Sequence, residues 1–227
     1  MLLIEPEDRL LVSLAHLCIA LLFRSKKLLQ IASVYHFIMK VIVLPGNGCT
    51  NVLRSNWYGW LHQVLNSAGI TCIAENMPDP YNARRNIWIP FIKDTLKADE
   101  DTILVGHSSG AQAALRYAEE HKVRGVILVA ATYTDLGDAG ERASGYYPLN
   151  QETENLYNFA AMRENCKLWY QFHSDDDCFI PPAEAERIRD GLGLTEDQFK
   201  MFSGRSHFFD APFVELVDRI KQFVAAE

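Results

Sequence analysis

The feature that most constrains this chain is the pentapeptide Gly106-His107-Ser108-Ser109-Gly110, a G-x-S-x-G motif between two segments of different periodicity. Residues 103–105 form a short apolar run typical of a buried strand, and residues 111–120 repeat apolar positions at helical spacing. Glycines permit the tight turn, and the first N–H groups of the helix favour negative charge beside it. The motif predicts a nucleophile elbow with Ser108 as the nucleophile. The alternative is a glycine-rich turn that merely contains a serine.

Apolar strands and helical patterns alternate along the chain from residue 41 onwards. Strands are predicted at 41–44, 70–74, 102–106, 126–130, 168–172 and 199–202, and helices near 56–67, 82–97, 111–120, 151–165, 182–191 and 213–224. This alternation, together with the elbow, predicts an α/β class and a compact single-domain α/β-hydrolase fold. We expect a mostly parallel sheet of about six strands with helices on both faces. No large cap domain has room, and residues 131–150 are predicted to form a loop over the site.

A serine nucleophile on such an elbow needs an acid and a base in the chain order Ser, Asp, His. The chain has seven histidines, and His207 alone follows both the serine and an acidic cluster on a small-residue turn after a strand. His207 is therefore the predicted base. His173 comes before the acidic cluster, and His107, inside the elbow, is expected to point away from the nucleophile.

The acid is sought in the acidic run at 175–177, which follows the strand 168–172. Parallel sheets present their functional residues at these carboxyl ends of strands. Asp177 is favoured because a carboxylate four residues before a proline fits the loop usual in this fold. Asp176 remains an alternative. Asp135 and Asp138 remain a further one, because some hydrolases place the acid after the preceding strand.

The oxyanion of an acyl-transfer intermediate is expected to be held by two backbone N–H groups. One is predicted at Ser109, directly after the nucleophile. The other is predicted in the loop Pro45-Gly46-Asn47-Gly48 after the first strand, with Asn47 favoured and Gly48 as the alternative. A phosphate-binding loop is disfavoured, because the spacing matches neither G-x-G-x-x-G nor a P-loop and no lysine follows.

Several unusual short segments occur in order along residues 39–224. They are MKVIVLPGNG (39–48), WYGW (57–60), ENMPDP (75–80), IWIPF (87–91), GHSSGAQAALRYAE (106–119), LGDAGERASGYY (136–147) and DCFIP (177–181). Together they resemble the retinoblastoma-binding protein 9 family, small single-domain serine hydrolases of the α/β-hydrolase superfamily. The resemblance implies Ser108 as nucleophile, Asp177 as acid and His207 as base, in agreement with the choice made from the residues.

The sequence departs from this family's pattern at two positions. Cys178 stands where the family is expected to have proline. The family's namesake carries an L-x-C-x-E segment for a retinoblastoma-type pocket protein, and here the matching stretch 96–100 has Ala98 in place of the cysteine. This replacement argues against a pocket-protein partner bound through that motif.

Composition restricts the remaining function classes. The net charge of −7 argues against nucleic-acid binding. The five cysteines show no paired C-x-x-C spacing, which favours free thiols and a cytoplasmic location. A metal site at His173 and the aspartates is disfavoured because adjacent carboxylates point in different directions.

Residues 1–38 are predicted to be an appendage or an alternative start, separate from a hydrolase domain at 39–227. Leu10–Phe23 is a mostly apolar run, too short for a confident membrane span, and basic residues follow it. A secretory signal would carry its positive charge before the run. An interfacial helix that contacts a membrane is a further prediction for this segment.

The predicted activity is hydrolysis of a small-molecule ester or amide through a Ser-His-Asp triad and an acyl-enzyme, without a cofactor. The alternative is a protein-binding scaffold that keeps the hydrolase fold with weak or vestigial activity.

Overall fold

The computed structural model describes residues 39–147 and 157–226. Within them, six strands form one sheet: β1 Lys40–Leu44, β2 Thr71–Ile73, β3 Thr102–His107, β4 Gly125–Val129, β5 Leu168–Ser174 and β6 Phe199–Phe202. Every neighbouring pair is parallel, and the spatial order is β2-β1-β3-β4-β5-β6. The predicted parallel α/β fold is confirmed.

Seven α-helices occur in the same described ranges: α1 Tyr58–Ser67, α2 Arg85–Pro90, α3 Ser109–Glu120, α4 Ala139–Ala143, α5 Phe159–Asn165, α6 Pro182–Leu192 and α7 Val214–Ala225. The single helix predicted at 82–97 is divided. Its first part ends at Pro90, which lacks the N–H that would continue the helical hydrogen bonds, and a π-helical turn follows at Phe91–Thr95. Of the helix predicted at 151–165, residues 151–156 lie outside the described residues.

The strands place alternate side chains on opposite faces of the sheet, and each face carries its own core. In β1, Ile42 and Leu44 join the cluster that also contains residues of α2, α3, α5 and α6. Val41 and Val43 join the other cluster, which contains residues of α1 and α7. The four inner strands, β1, β3, β4 and β5, are buried on both sides, which explains why they read as largely continuous apolar runs.

The predictions for the N-terminal segment 1–38 lie outside the described residues, as does the end of the predicted loop at 148–150. Residues 39 to 227 group into one compact unit by their contacts. Across the described part of the chain, the longest helices are too short or too polar to traverse a lipid bilayer.

Candidate active site

The predicted site residues lie on loops that follow the carboxyl ends of different strands. Ser108 follows β3, Asp177 follows β5, His207 follows β6 and Asn47 follows β1. In a parallel sheet these ends share one edge, so residues distant in sequence are brought together. A cavity of about 670 Å³ opens there, and Asn47, Ser108, Ser109 and His207 all line it.

Ser108 lies in a strained backbone conformation, with φ 54° and ψ −122°. Its own N–H donates to the carbonyl of Val129 at 3.0 Å, which fixes the turn to β4. The flanking glycines are required by close approach: a Cβ on Gly110 would lie 2.0 Å from the Leu44 carbonyl oxygen, and one on Gly106 would lie 2.4 Å from the Gly110 carbonyl oxygen. Strain of this kind persists where the surrounding fold enforces it, typically at functional sites.

His207 and Asp177 form a buried pair. His207 Nδ1 lies 2.9 Å from Asp177 Oδ2 and 3.1 Å from Oδ1, and the side chains are 7% and 0% exposed, respectively. The backbone N–H groups of Phe179 and Ile180 also donate to Asp177 Oδ1, at 2.9 and 3.0 Å. Burial opposes ionisation of this carboxyl, but the hydrogen bonds from His207 and the backbone outweigh it, so its pKa lies below the ordinary value.

Asp176, the sequence alternative, faces a different set of partners. Its Oδ1 accepts hydrogen bonds from Ser174 Oγ at 2.6 Å, Ser206 N at 3.0 Å and Gly204 N at 3.1 Å. The first of these hydrogen bonds lowers the pKa of Asp176 most. Asp176 therefore holds the turn that precedes His207, and the structure brings Asp177 rather than Asp176 to the imidazole.

The other acidic alternatives are engaged within the loop after β4. Asp135 accepts from Arg142 Nε at 2.6 Å and from the Gly137 N–H at 2.9 Å. Asp138 caps α4 by accepting from the Glu141 N–H at 2.9 Å. Both shape the loop over the cavity.

Ser108 and His207 share the cavity wall without a hydrogen bond between Ser108 Oγ and the imidazole among the described residues. Such contacts are often long in a ligand-free site and tighten when substrate binds. The rings of Phe179 and His207 are perpendicular, with centroids 5.0 Å apart. The Phe209 ring is tilted relative to the His207 ring, and their centroids are 5.5 Å apart. These aromatic contacts restrict the movement of the imidazole.

The loop after β1 touches the elbow directly, since a Cβ on Gly46 would lie 3.2 Å from Ser108 Cβ. The Gly48 N–H donates to the Pro80 carbonyl at 2.7 Å, and the Gly46 N–H donates to the Tyr58 hydroxyl oxygen at 3.1 Å. Within residues 39–147 and 157–226, the N–H groups of Asn47 and Ser109 have no acceptor. Asn47 and Ser109 are thus the available donors, and Gly48, the sequence alternative, is already paired.

Several residues of the cavity wall were not anticipated from the sequence. Glu141 accepts from Asn47 Nδ2 at 3.2 Å, and burial raises its pKa. His107 also lines the wall, and its Nε2 contacts the carbonyl of His207 at 2.9 Å. These contacts are long-range, and the local sequence carries no signal for them.

In the described part of the chain, no three His, Cys, Asp or Glu residues, with or without His173, are grouped so that they could hold a metal ion. His173 Nε2 donates to the Ile180 carbonyl at 3.1 Å, and burial lowers its pKa. The neutral imidazole therefore supports the loop that carries Asp177.

A model of the serine hydrolase family matches residues 41–208, and the chain belongs to this family. The fold and the family together make it a serine hydrolase of the α/β-hydrolase superfamily. A curated relative, serine hydrolase RBBP9 of Rattus norvegicus, is 42% identical over 186 residues, which cover 82% of this chain and 95% of the relative. The resemblance predicted from the short segments is confirmed, and so is the enzyme class.

Solved structures agree on the fold. The ydeN gene product of Bacillus subtilis superposes with a TM-score of 0.66 and 21% identity, covering 83% of this chain and 100% of that one. A monoacylglycerol lipase of Paleococcus ferrophilus gives a TM-score of 0.54 and 19% identity, covering 82% and 93%. At these identities the likeness establishes the α/β-hydrolase architecture alone.

Proposed function

We propose that the chain cleaves a small ester or amide by attack of Ser108 on the carbonyl carbon. His207 Nε2 accepts the serine proton as the Ser108 Oγ–carbon bond forms, and later donates it to the departing alcohol or amine. The observation that carries the proposal is the His207–Asp177 pair, at 2.9 Å, in the same cavity as Ser108.

The ionised Asp177 fixes which imidazole nitrogen of His207 carries the proton. Because the carboxylate accepts from His207 Nδ1–H, the neutral imidazole keeps its lone pair on Nε2, the side that must accept the serine proton. When His207 takes up the proton, the negative charge 2.9 Å away stabilises the imidazolium. Asp177 thus orients the imidazole of His207 and stabilises its protonated form during the reaction.

The oxyanion of the tetrahedral intermediate is assigned to the backbone N–H groups of Asn47 and Ser109. Two observations support this assignment: both residues line the cavity, and neither N–H has an acceptor among the described residues. The N-terminus of α3 adds its positive dipole end at the same place. Water, activated by His207, then hydrolyses the acyl-enzyme and restores Ser108.

The cavity wall favours a small substrate without negative charge. Its lining combines the carboxyl groups of Asp138 and Glu141 with the apolar side chains of Leu136, Phe179 and Phe209, and no lysine or arginine of the described residues belongs to it. An anionic acyl group would meet these carboxylates without a compensating cation.

A fluorophosphonate probe tests the nucleophile. We expect the folded wild-type protein to be labelled once, on the peptide that carries Ser108, because an activated serine displaces fluoride from the probe and becomes phosphonylated. Intact-mass and peptide mass spectrometry provide the measurement. Absence of labelling on folded protein would instead support the scaffold alternative, and labelling at another serine would contradict the assignment of Ser108.

We also propose that the hydrolase resides in residues 39–227 and that residues 1–38 are dispensable for it. The family match at residues 41–208 supports this division. A variant that begins at Met39 is expected to keep the kcat/KM of the full chain within about threefold, because residues 39–227 form a compact unit by their own contacts and carry the family match. Purified full-length and shortened proteins are compared on one ester substrate. An insoluble or inactive shortened protein would overturn the division.

A further inference from the structure

A buried tyrosine–histidine pair joins two loops of the site and is not accounted for by the proposed chemistry. Tyr58 lies on α1 and His107 ends β3, and the Tyr58 hydroxyl lies 2.5 Å from His107 Nδ1. The other imidazole nitrogen, Nε2, lies 2.9 Å from the backbone carbonyl of His207. The Tyr58 oxygen is also 3.1 Å from the N–H of Gly46, one residue before Asn47.

The positions of the protons in this series of hydrogen bonds follow from the groups at its two ends. The His207 carbonyl can only accept, so His107 Nε2 carries a proton and donates. Burial, together with the nearby His207, lowers the pKa of His107 to about 3, so the ring is neutral and its Nδ1 accepts from the Tyr58 O–H. The Tyr58 oxygen is then left to accept from the N–H of Gly46 and from Asn56 Nδ2, both at 3.1 Å.

Each of these hydrogen bonds therefore has a defined donor and acceptor, and the rings of Tyr58 and His107 are fixed in place. Tyr58 and His107 are each almost fully buried, and the Trp57 ring packs edge-on against both, with centroids at 4.7 and 5.8 Å. At one end of this hydrogen-bonded series, Tyr58 holds the N–H of Gly46, directly before Asn47. At the other end, His107 holds the backbone carbonyl of His207, the proposed base.

We propose that Tyr58 and His107 act as one positioning pair that sets the oxyanion loop and the base-bearing loop at a fixed separation around Ser108. The proposal rests on the proposed function, because it assigns the two loops their roles from it. Neither side chain takes part in bond making. Loss of the pair displaces the Asn47 N–H and the His207 ring, so kcat falls. Contacts of the substrate with the rest of the cavity wall are kept, so KM changes little.

The test compares Tyr58→Phe with Tyr117→Phe. Each change removes one buried hydroxyl and keeps the ring, but the Tyr117 hydroxyl donates to the Ala98 carbonyl at 2.9 Å, away from the cavity lining. We expect Tyr58→Phe to lower kcat about ten- to a hundredfold with KM within about twofold, since displacement of a reacting group by about 1 Å can cost that much. Tyr117→Phe is expected to keep both constants. Steady-state kinetics and the unfolding temperature of each variant are measured.

His107→Gln supplies the second, independent variant, because glutamine can donate to the His207 carbonyl but offers no ring nitrogen to Tyr58. If the two side chains act as a pair, the double variant loses no more kcat than the worse single variant. Losses that multiply, a loss confined to KM, or an unchanged kcat in folded Tyr58→Phe would each overturn the pair. Ser108→Ala in the same assay separates the two proposals: if it keeps wild-type activity, the proposed function itself is wrong, whatever the pair does.

Discussion

Ser108→Ala is expected to lower kcat by about four to six orders of magnitude. Without the hydroxyl, no acyl-enzyme forms, and only direct attack of water on the bound substrate remains. Alanine keeps the Cβ, so the strained conformation at φ 54° is no worse than in the wild type and the elbow is expected to fold. Steady-state hydrolysis of an ester substrate, with the unfolding temperature as a folding check, measures the effect.

Ser67→Ala is the matched control. Ser67 is an exposed residue at the end of α1, the helix that begins at Tyr58. Removal of its hydroxyl is expected to leave kcat/KM within about threefold of the wild-type value. A Ser108→Ala protein that is folded and retains more than about one per cent of wild-type kcat would contradict nucleophilic catalysis by Ser108, because the residual rate expected without a nucleophile is far lower.

Asp177→Asn is expected to lower kcat by about 10⁴-fold while the fold is kept. The asparagine amide can donate a hydrogen bond to His207 Nδ1, which favours the tautomer with its proton on Nε2. That proton occupies the position that must receive the proton of Ser108. The negative charge that stabilises the imidazolium is lost at the same time. The two N–H donors from Phe179 and Ile180 can still be accepted by the amide oxygen, so the loop is expected to persist.

Asp176→Asn separates this role from a general effect on the loop. The amide oxygen can still accept from Ser174, Gly204 and Ser206, so kcat/KM is expected to stay within about threefold and the unfolding temperature to fall slightly. Kinetics of the two variants side by side decide between the neighbouring carboxylates. A large loss for Asp176→Asn with a small one for Asp177→Asn would make Asp176 the acid.

Much of the fold could be predicted because its signals are local. Apolar runs such as 103–105 and 126–129 are buried on both faces of a parallel sheet. Such strands can be recognised from their own apolar residues and the turns that flank them, without knowing which strands lie beside them. The helix predicted at 82–97 was less accurate. Periodicity continues through Pro90, but the missing N–H divides the segment there into two kinds of helix.

For the site, the sequence alone determined the tight turn at Ser108, the order of Ser108, the acidic run 175–177 and His207 along the chain, and the strand ends on which they lie. These follow from turn chemistry and the strand–helix alternation, which are written in consecutive residues. The tertiary structure decided which carboxylate meets His207, that the Gly48 N–H is already bound to Pro80, and that Tyr58 and His107 join two loops. Each of these depends on hydrogen-bond directions between segments distant in the chain, and such directions exist only after the sheet has brought the strand ends together.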